Sequence, residues 1–201
     1  MRAMGFPTEV RNFRIAPTPE ISKRFRAAGI EDWHAALGHV GRLPYGRNRE
    51  RGNPALVLEE GQGTCSSKHA LLALLAGEQG QAVDLMLGIY EMSERNTPGV
   101  GPVLSAHGMC SLPEAHCYLL QGGRRIDVTR TIEAAEDPFE CLLYEEKIVP
   151  SDVAEYKPRF HRRFLEEWLE RSQAAGDHKH VDEVWEIREQ CIRAIEQHHR
   201  C

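Results

Sequence analysis

Cys65 is the residue whose neighbours most clearly prepare it for chemistry. It follows Gly61-Gln62-Gly63-Thr64 and opens the run Cys65-Ser66-Ser67-Lys68-His69, which continues into seven apolar residues from Ala70 to Ala76. The pattern predicts a glycine turn feeding a buried helix that starts at Cys65. A thiol at a helix N-terminus feels the positive end of the macrodipole and the free backbone donors of the first turn. Both favour thiolate over thiol, which is how a cysteine becomes a nucleophile near neutral pH. The competing reading is a small core residue, since free cysteine is among the most buried types. The glycines before it, which permit close backbone approach, bring the two readings level before any partner is considered.

A partner is present in His116, on a predicted strand Ala115 to Leu120, with Asp127 on a second strand Arg125 to Thr129. Gln121-Gly122-Gly123-Arg124 between them is a strong hairpin signal. A Gln121-Gly122 loop sets His116 directly opposite Asp127, and a Gly122-Gly123 loop makes them diagonal neighbours. In both registers they share one face. A carboxylate facing a histidine fixes the ring tautomer and stabilises its charged form. A chance polar pair on a solvated strand face is the alternative.

Lesser candidates surround these three. The backbone N–H of Cys65 is the first oxyanion donor, and Gln62 offers a weaker side-chain donor. His69, one turn after Cys65, either lines the site or is a buried, hydrogen-bonded core histidine. Lys68 either helps to lower the thiol pKa or is a solvated first-turn residue. His107, Cys110, His116 and Cys117 match no standard zinc spacing, and His116 and Cys117 point to opposite strand faces, so no metal is expected. The Gly61 to Lys68 segment lacks the spacing of a phosphate-binding loop.

The elements that must position these residues are legible around them. An extended arm reaches to about Pro19. Helices follow over Glu20 to Ala28 and about Glu31 to Val40, the second with Trp33, Leu37 and Val40 on one face. The Cys65 helix runs to Gly77, and Ala82 to Tyr90 alternates as a strand. Glu91 to Pro113 has no clean period and is expected as a flap or a disordered insertion. From Phe160 the period turns helical, with two stripes around Gly176-Asp177 predicting a helical hairpin.

In this order, a cysteine opening a buried helix, a histidine on a later strand and an aspartate on the next resemble the transglutaminase-like superfamily. These are papain-like thiol folds, and the resemblance covers roughly residues 31–132. It rests on the helix before the Tyr45 loop, Gly63-Thr64-Cys65, the strand Val83 to Tyr90, Ala115-His116 and Arg125-Ile126-Asp127-Val128-Thr129. It implies an α+β fold in which the cysteine-bearing helix packs on an antiparallel sheet. It further implies Cys65 as nucleophile, His116 as general base and acid, and Asp127 as the group that orients the histidine. The family often has an aromatic residue after the cysteine and a tryptophan after the histidine. Here Ser66 and Cys117-Tyr118 take those places. The expected organisation is a transglutaminase-like domain over 1–150 with a C-terminal helical extension, 151–201, packed on it.

The implied reaction is acyl transfer through a Cys65 thioester, with hydrolysis of an amide or peptide bond favoured because water is always available. It requires no metal or organic cofactor, and its substrate is a peptide or an amide-bearing molecule, a protein included. The alternative is a non-catalytic binding or scaffold module on the same fold. A second alternative is a redox or metal-responsive protein using Cys110 and Cys117.

Composition narrows the classes further. In 201 residues, 41% are hydrophobic and 27% charged, the balance of an ordinary globular chain. No apolar stretch approaches the roughly 18 residues of a membrane helix. Met1 to Val10 has no signal-like apolar region, and six cysteines are too sparse for a disulfide scaffold. A cytoplasmic protein without membrane partners is expected. The net charge of −5 hides ten basic against five acidic residues through Arg51, and fifteen against twenty-five beyond. The basic third lacks interleaved aromatics, so internal pairing is expected rather than nucleic-acid binding.

Overall fold

The computed structural model describes residues 10–129, 137–173 and 179–198. Its elements, in chain order, are α1 (Glu20–Ala27), α2 (Trp33–Arg42), α3 (Leu56–Glu60), α4 (Cys65–Glu78), β1 (Asp84–Ser93), α5 (Gly101–Ala106), β2 (Ser111–Gln121) and β3 (Arg124–Ile126). A 3₁₀ turn (Pro138–Cys141), β4 (Leu142–Ile148), a second 3₁₀ turn (Pro150–Val153), α6 (Tyr156–Gln173) and α7 (Val181–His198) complete the chain. The architecture is mixed α+β, with a four-stranded antiparallel sheet in the order β3-β2-β1-β4 and a C-terminal pair of helices.

The chain divides into two compact units. The first draws on Met1–Leu87, Cys117–Thr131 and Glu146–Val153, and the second on Gly88–His116, Ile132–Glu145 and Ala154–Cys201.

In the first unit α4 is the central helix. Ten of its residues, from Cys65 to Ala76, are buried, because it is apolar almost all round. It packs against α1, α2, α3 and the 3₁₀ turn at Pro150–Val153. Leu71, Leu72 and Leu75 are fully buried, each stabilising the fold by about 1.5–3 kcal/mol. The last turn of α4 also caps α1. The Glu78 carboxylate accepts from the Ile21 and Ser22 N–H groups (2.9 and 2.7 Å) and from Ser22 Oγ at 2.6 Å. Asp32 opens α2 by accepting from the Ala35 N–H at 2.9 Å. The extended arm is tied in where Phe13 stacks on Trp33 at 5.1 Å and the Arg14 backbone forms an isolated antiparallel β-bridge with that of Asp32. The expected internal pairing of the basic third is visible: Arg24 pairs with Glu59, and Arg49 with Glu59 and Glu60.

The β2–β3 hairpin has Leu119 opposite Ile126 and Gln121 opposite Arg124. The loop is therefore Gly122-Gly123, the second of the two registers. Both glycines have positive φ, +56° and +80°, as the mirror-image turn that suits strand twist requires. β3 ends at Ile126, so Asp127 to Thr129 lie beyond the strand that the sequence extends to Thr129. The reason is side-chain competition. Asp127 Oδ1 takes the Thr129 N–H and Oγ1 (2.9 and 2.7 Å), closing a local turn in place of a ladder.

In the second unit, Gly88–His116 packs with the tail helices. The segment from Glu91 to Pro113, expected as a flap or a disordered insertion, is ordered. β1 continues to Ser93, the Glu94 carboxylate receives the Gly99 and Gly101 N–H groups, and α5 follows. Val100, Leu104, Met109 and Leu112 join Tyr90, Met92, Ile187 and Cys191 in one apolar cluster. The glycines and prolines hide the period, but the apolar residues still find a partner in α7. Leu165, Leu169, Val181 and Val184 hold α6 to α7. Gly176-Asp177, the predicted hairpin turn, lies outside the described residues. β4, which the sequence reading does not foresee, is an exposed edge strand whose Lys147 pairs with Asp84 of β1. Among the described residues no helix is long and apolar enough to cross a membrane.

Candidate functional site

The segment entering α4 is fixed before Cys65 is reached. Gly63 donates its N–H to the Pro44 carbonyl (3.1 Å) and accepts from the Gly46 N–H (3.3 Å), so two loops run side by side. Asn48 Nδ2 donates to the Gln62 carbonyl at 2.9 Å and to Glu60 at 3.0 Å. Gly63 must lack a side chain. A Cβ there would stand 2.9 Å from Lys68 Cγ and 3.0 Å from Ser67 Oγ and Val57 Cγ2. Thr64 then caps the helix reciprocally: its Oγ1 accepts from the Ser67 N–H (3.4 Å), and Ser67 Oγ accepts from the Thr64 N–H (3.0 Å). This is a capping box with serine at its third position.

Cys65 is the first residue of that helix and is 5% exposed. First-turn amides have no acceptor within the helix, so the Cys65 N–H is not spent on the α4 hydrogen-bond ladder. Ser66 Oγ lies 3.9 Å from Cys65 Sγ and 3.9 Å from Cys117 Sγ, within reach of both thiols. The Gln62 amide is engaged elsewhere, donating Nε2–H to the Arg47 carbonyl at 2.8 Å.

His69 is fully buried. Its Nε2 accepts from the Val128 N–H at 3.0 Å, so the proton sits on Nδ1, which donates to the Cys65 carbonyl at 2.8 Å. Asp127 Oδ1 is 3.5 Å from the same Nε2. With that nitrogen already accepting from a backbone N–H, the approach is a contact of a neutral ring rather than an ion pair. His69 thereby clamps the first turn of α4 to the turn that carries Asp127.

Lys68 is 1% exposed. Its stem lies against Gly63, and Nζ donates to the Leu43 carbonyl at 2.5 Å. Burial lowers its pKa to about 8, while the charges of Asp127 and Cys65 act in the opposite direction and hold it up. The first unit therefore gathers a thiol, a carboxylate, an ammonium and a neutral imidazole around one helix start.

His116 stands in the second unit, on β2, and is 8% exposed. Tyr90 meets its ring edge-on at 6.1 Å between centroids, and Phe139 lies at 6.0 Å. The Tyr90 hydroxyl is hydrogen-bonded to Thr97 Oγ1 at 2.9 Å, and the Phe139 N–H is held by Asp137. This aromatic surround limits the water around the imidazole.

Three features escaped the sequence reading. The burial of Lys68 was open to inference, because it sits three residues into a helix with no polar face. The Asp127-Val128-Thr129 turn was signalled by an Asp two residues before a Thr, a pattern that favours local side-chain bonding. Tyr90 and Phe139 had no sequence signal, since their approach to His116 is purely tertiary.

His107 is hydrogen-bonded to Gln190, Cys110 is exposed and Cys117 is buried. Among the described residues no group of three or more histidine, cysteine or acidic side chains could hold a metal ion. No family model, no curated protein and no solved structure matches the chain.

Proposed function

We propose that this chain is a thiol-dependent acyl-transfer enzyme of papain-like, transglutaminase-like architecture, hydrolysing an amide or peptide bond through a Cys65 thioester. The observation that carries the reading is Cys65 as first residue of a capped, buried helix, with a buried ammonium held on the same helix. In the proposed cycle the Cys65 thiolate adds to the substrate carbonyl, and the Cys65 N–H holds the developing oxyanion. His116, in the role the resemblance assigns it, takes the thiol proton and gives it to the leaving amine. The carbon–nitrogen bond breaks to leave the thioester. Water then adds, the imidazole takes its proton, and the thiolate departs. Asp127 orients and supports the histidine, and His69 holds the helix to the Asp127 turn from inside the core.

A non-catalytic binding module is the second reading, favoured by the burial of Cys65. Alkylation separates the two. The pH dependence of iodoacetamide labelling is measured at each cysteine by peptide mass spectrometry, in the wild type and in His116→Ala. Cys65 is expected to react well below the usual thiol range, about pH 8.5, and to lose that advantage in the variant. An inert Cys65, or a profile indifferent to His116, removes the catalytic reading.

A further inference from the structure

We propose that Lys68 is a positioning residue for the Cys65 nucleophile: its buried ammonium, threaded past Gly63 and tied to the Leu43 carbonyl, holds the thiol in its thiolate form. The functional sense of this rests on the thiol reading above, but the coupling of the two groups can be measured without it.

Lys68 follows Cys65 by three residues on α4, a spacing that puts two side chains on one helix face, roughly 5–6 Å apart at Cβ. The stem cannot swing out, because it occupies the space that a Cβ on Gly63 would fill. Among the described residues its hydrogen-bond partner is the Leu43 carbonyl just past α2. An ammonium has three N–H donors, and one neutral acceptor does not offset the loss of water around a buried charge. The compensation comes from anions. Among the described residues, Asp127 and Cys65 are the groups whose charges favour the ammonium. His69, next on the helix, contributes a neutral ring, and α2 contributes only the Leu43 carbonyl.

An interaction between two charges is mutual. Whatever the thiolate returns to the ammonium, the ammonium returns to the thiolate. Asp127 alone would discourage a second negative charge in the same place, and Lys68 offsets it. The alternative is purely structural: an ammonium at the C-terminal end of α2 caps that helix. Such a cap accounts for the Leu43 contact, but it leaves the titration of Cys65 untouched.

Two measurements test the proposal. The first is the pH profile of Cys65 alkylation in wild type, Lys68→Met and His116→Ala. Lys68→Met is expected to raise the Cys65 midpoint by about one unit and to slow labelling at pH 7 about tenfold. The second is an NMR titration of the Lys68 ε-methylene signals in wild type and Cys65→Ala, where loss of the thiolate is expected to lower the Lys68 midpoint. An unmoved Lys68 midpoint in Cys65→Ala overturns the proposal, as does an unmoved Cys65 midpoint in a folded Lys68→Met. If Lys68→Met does not fold, the Cys65→Ala titration decides alone. If Lys68→Met shifts Cys65 while His116→Ala does not, the thiol–imidazole reading fails and the role of Lys68 stands.

Discussion

Each unit of this molecule buries a cysteine beside charged side chains, and on the proposal above the two environments act on the thiol in opposite senses. In the second unit Cys191 sits within α7, its amide committed to the helix. Burial and the Glu114 carboxylate push its thiol up to about 11. In the first unit Cys65 opens α4, and the nearest buried charge on its helix is the Lys68 ammonium. The charges themselves are also arranged differently. Glu114 and Arg188 close on each other through two hydrogen bonds of 2.8 and 2.6 Å. Lys68 has one carbonyl and shares two anions at longer range. A buried pair whose donors and acceptors are spent on each other has nothing left for a ligand, whereas an incompletely bonded charge retains capacity to act. On the proposed function, the contrast separates a structural Glu114 cluster from the Cys65 cluster, where the chemistry is placed.

The largest expected effect comes from breaking the closed pair. Arg188→Met leaves Glu114 buried without its partner and should cost about 3–5 kcal/mol in urea unfolding. Lys68→Met should cost only about 1 kcal/mol, because methionine fills the channel past Gly63 and only the Leu43 carbonyl loses a bond. Equal losses at the two positions would erase the distinction between a closed pair and an open charge.

Acid should act first on the second unit. His161 donates to the Pro113 carbonyl at 2.8 Å, and burial lowers its pKa to about 4. The fold therefore prefers the neutral ring. Its stabilisation is complete above the ordinary histidine pKa of 6.5 and is lost as the pH falls from 6.5 to 4, a loss of about 3 kcal/mol. Glu114 is fully buried too, and burial acts to raise it, but Arg188, His161 and Lys157 together bring its pKa to about 2, so its contribution is lost only between 4.5 and 2. His161→Gln should flatten the fall in urea midpoint between pH 6.5 and 4. A variant that keeps the full slope would move the acid sensitivity away from this cluster.

What was legible in the sequence follows from how local its causes are. The start of α4 was readable because a glycine turn, a capping threonine and an apolar run act within a dozen residues. The Gly122-Gly123 turn was readable to within two registers for the same reason. The order of α5 within Glu91 to Pro113 was hidden, because Val100 and Leu104 acquire their meaning from Ile187 and Cys191, more than eighty positions away. The clamp made by His69 was one of two readings on spacing alone, and only the Val128 N–H separates them. β4 carries mostly exposed residues, so no alternation announced it. Short-range chemistry is written in neighbouring letters, and long-range pairing is not.

The smallest expected effect isolates how much of the Cys65 environment belongs to the helix start rather than to Lys68. Thr64 Oγ1 accepts from the Ser67 N–H at the start of the helix. Thr64→Ala should therefore lose about 1 kcal/mol of stability, as loss of a cap does. It should move the Cys65 alkylation midpoint by less than Lys68→Met, since the macrodipole of α4 survives. The same alkylation series reads Cys191 as an internal reference that stays unreactive in every folded variant. A Thr64→Ala shift as large as that of Lys68→Met would place the control of the thiol in the capped turn itself. A small one leaves it with the buried ammonium, the feature that Cys191, held mid-helix beside a carboxylate, lacks.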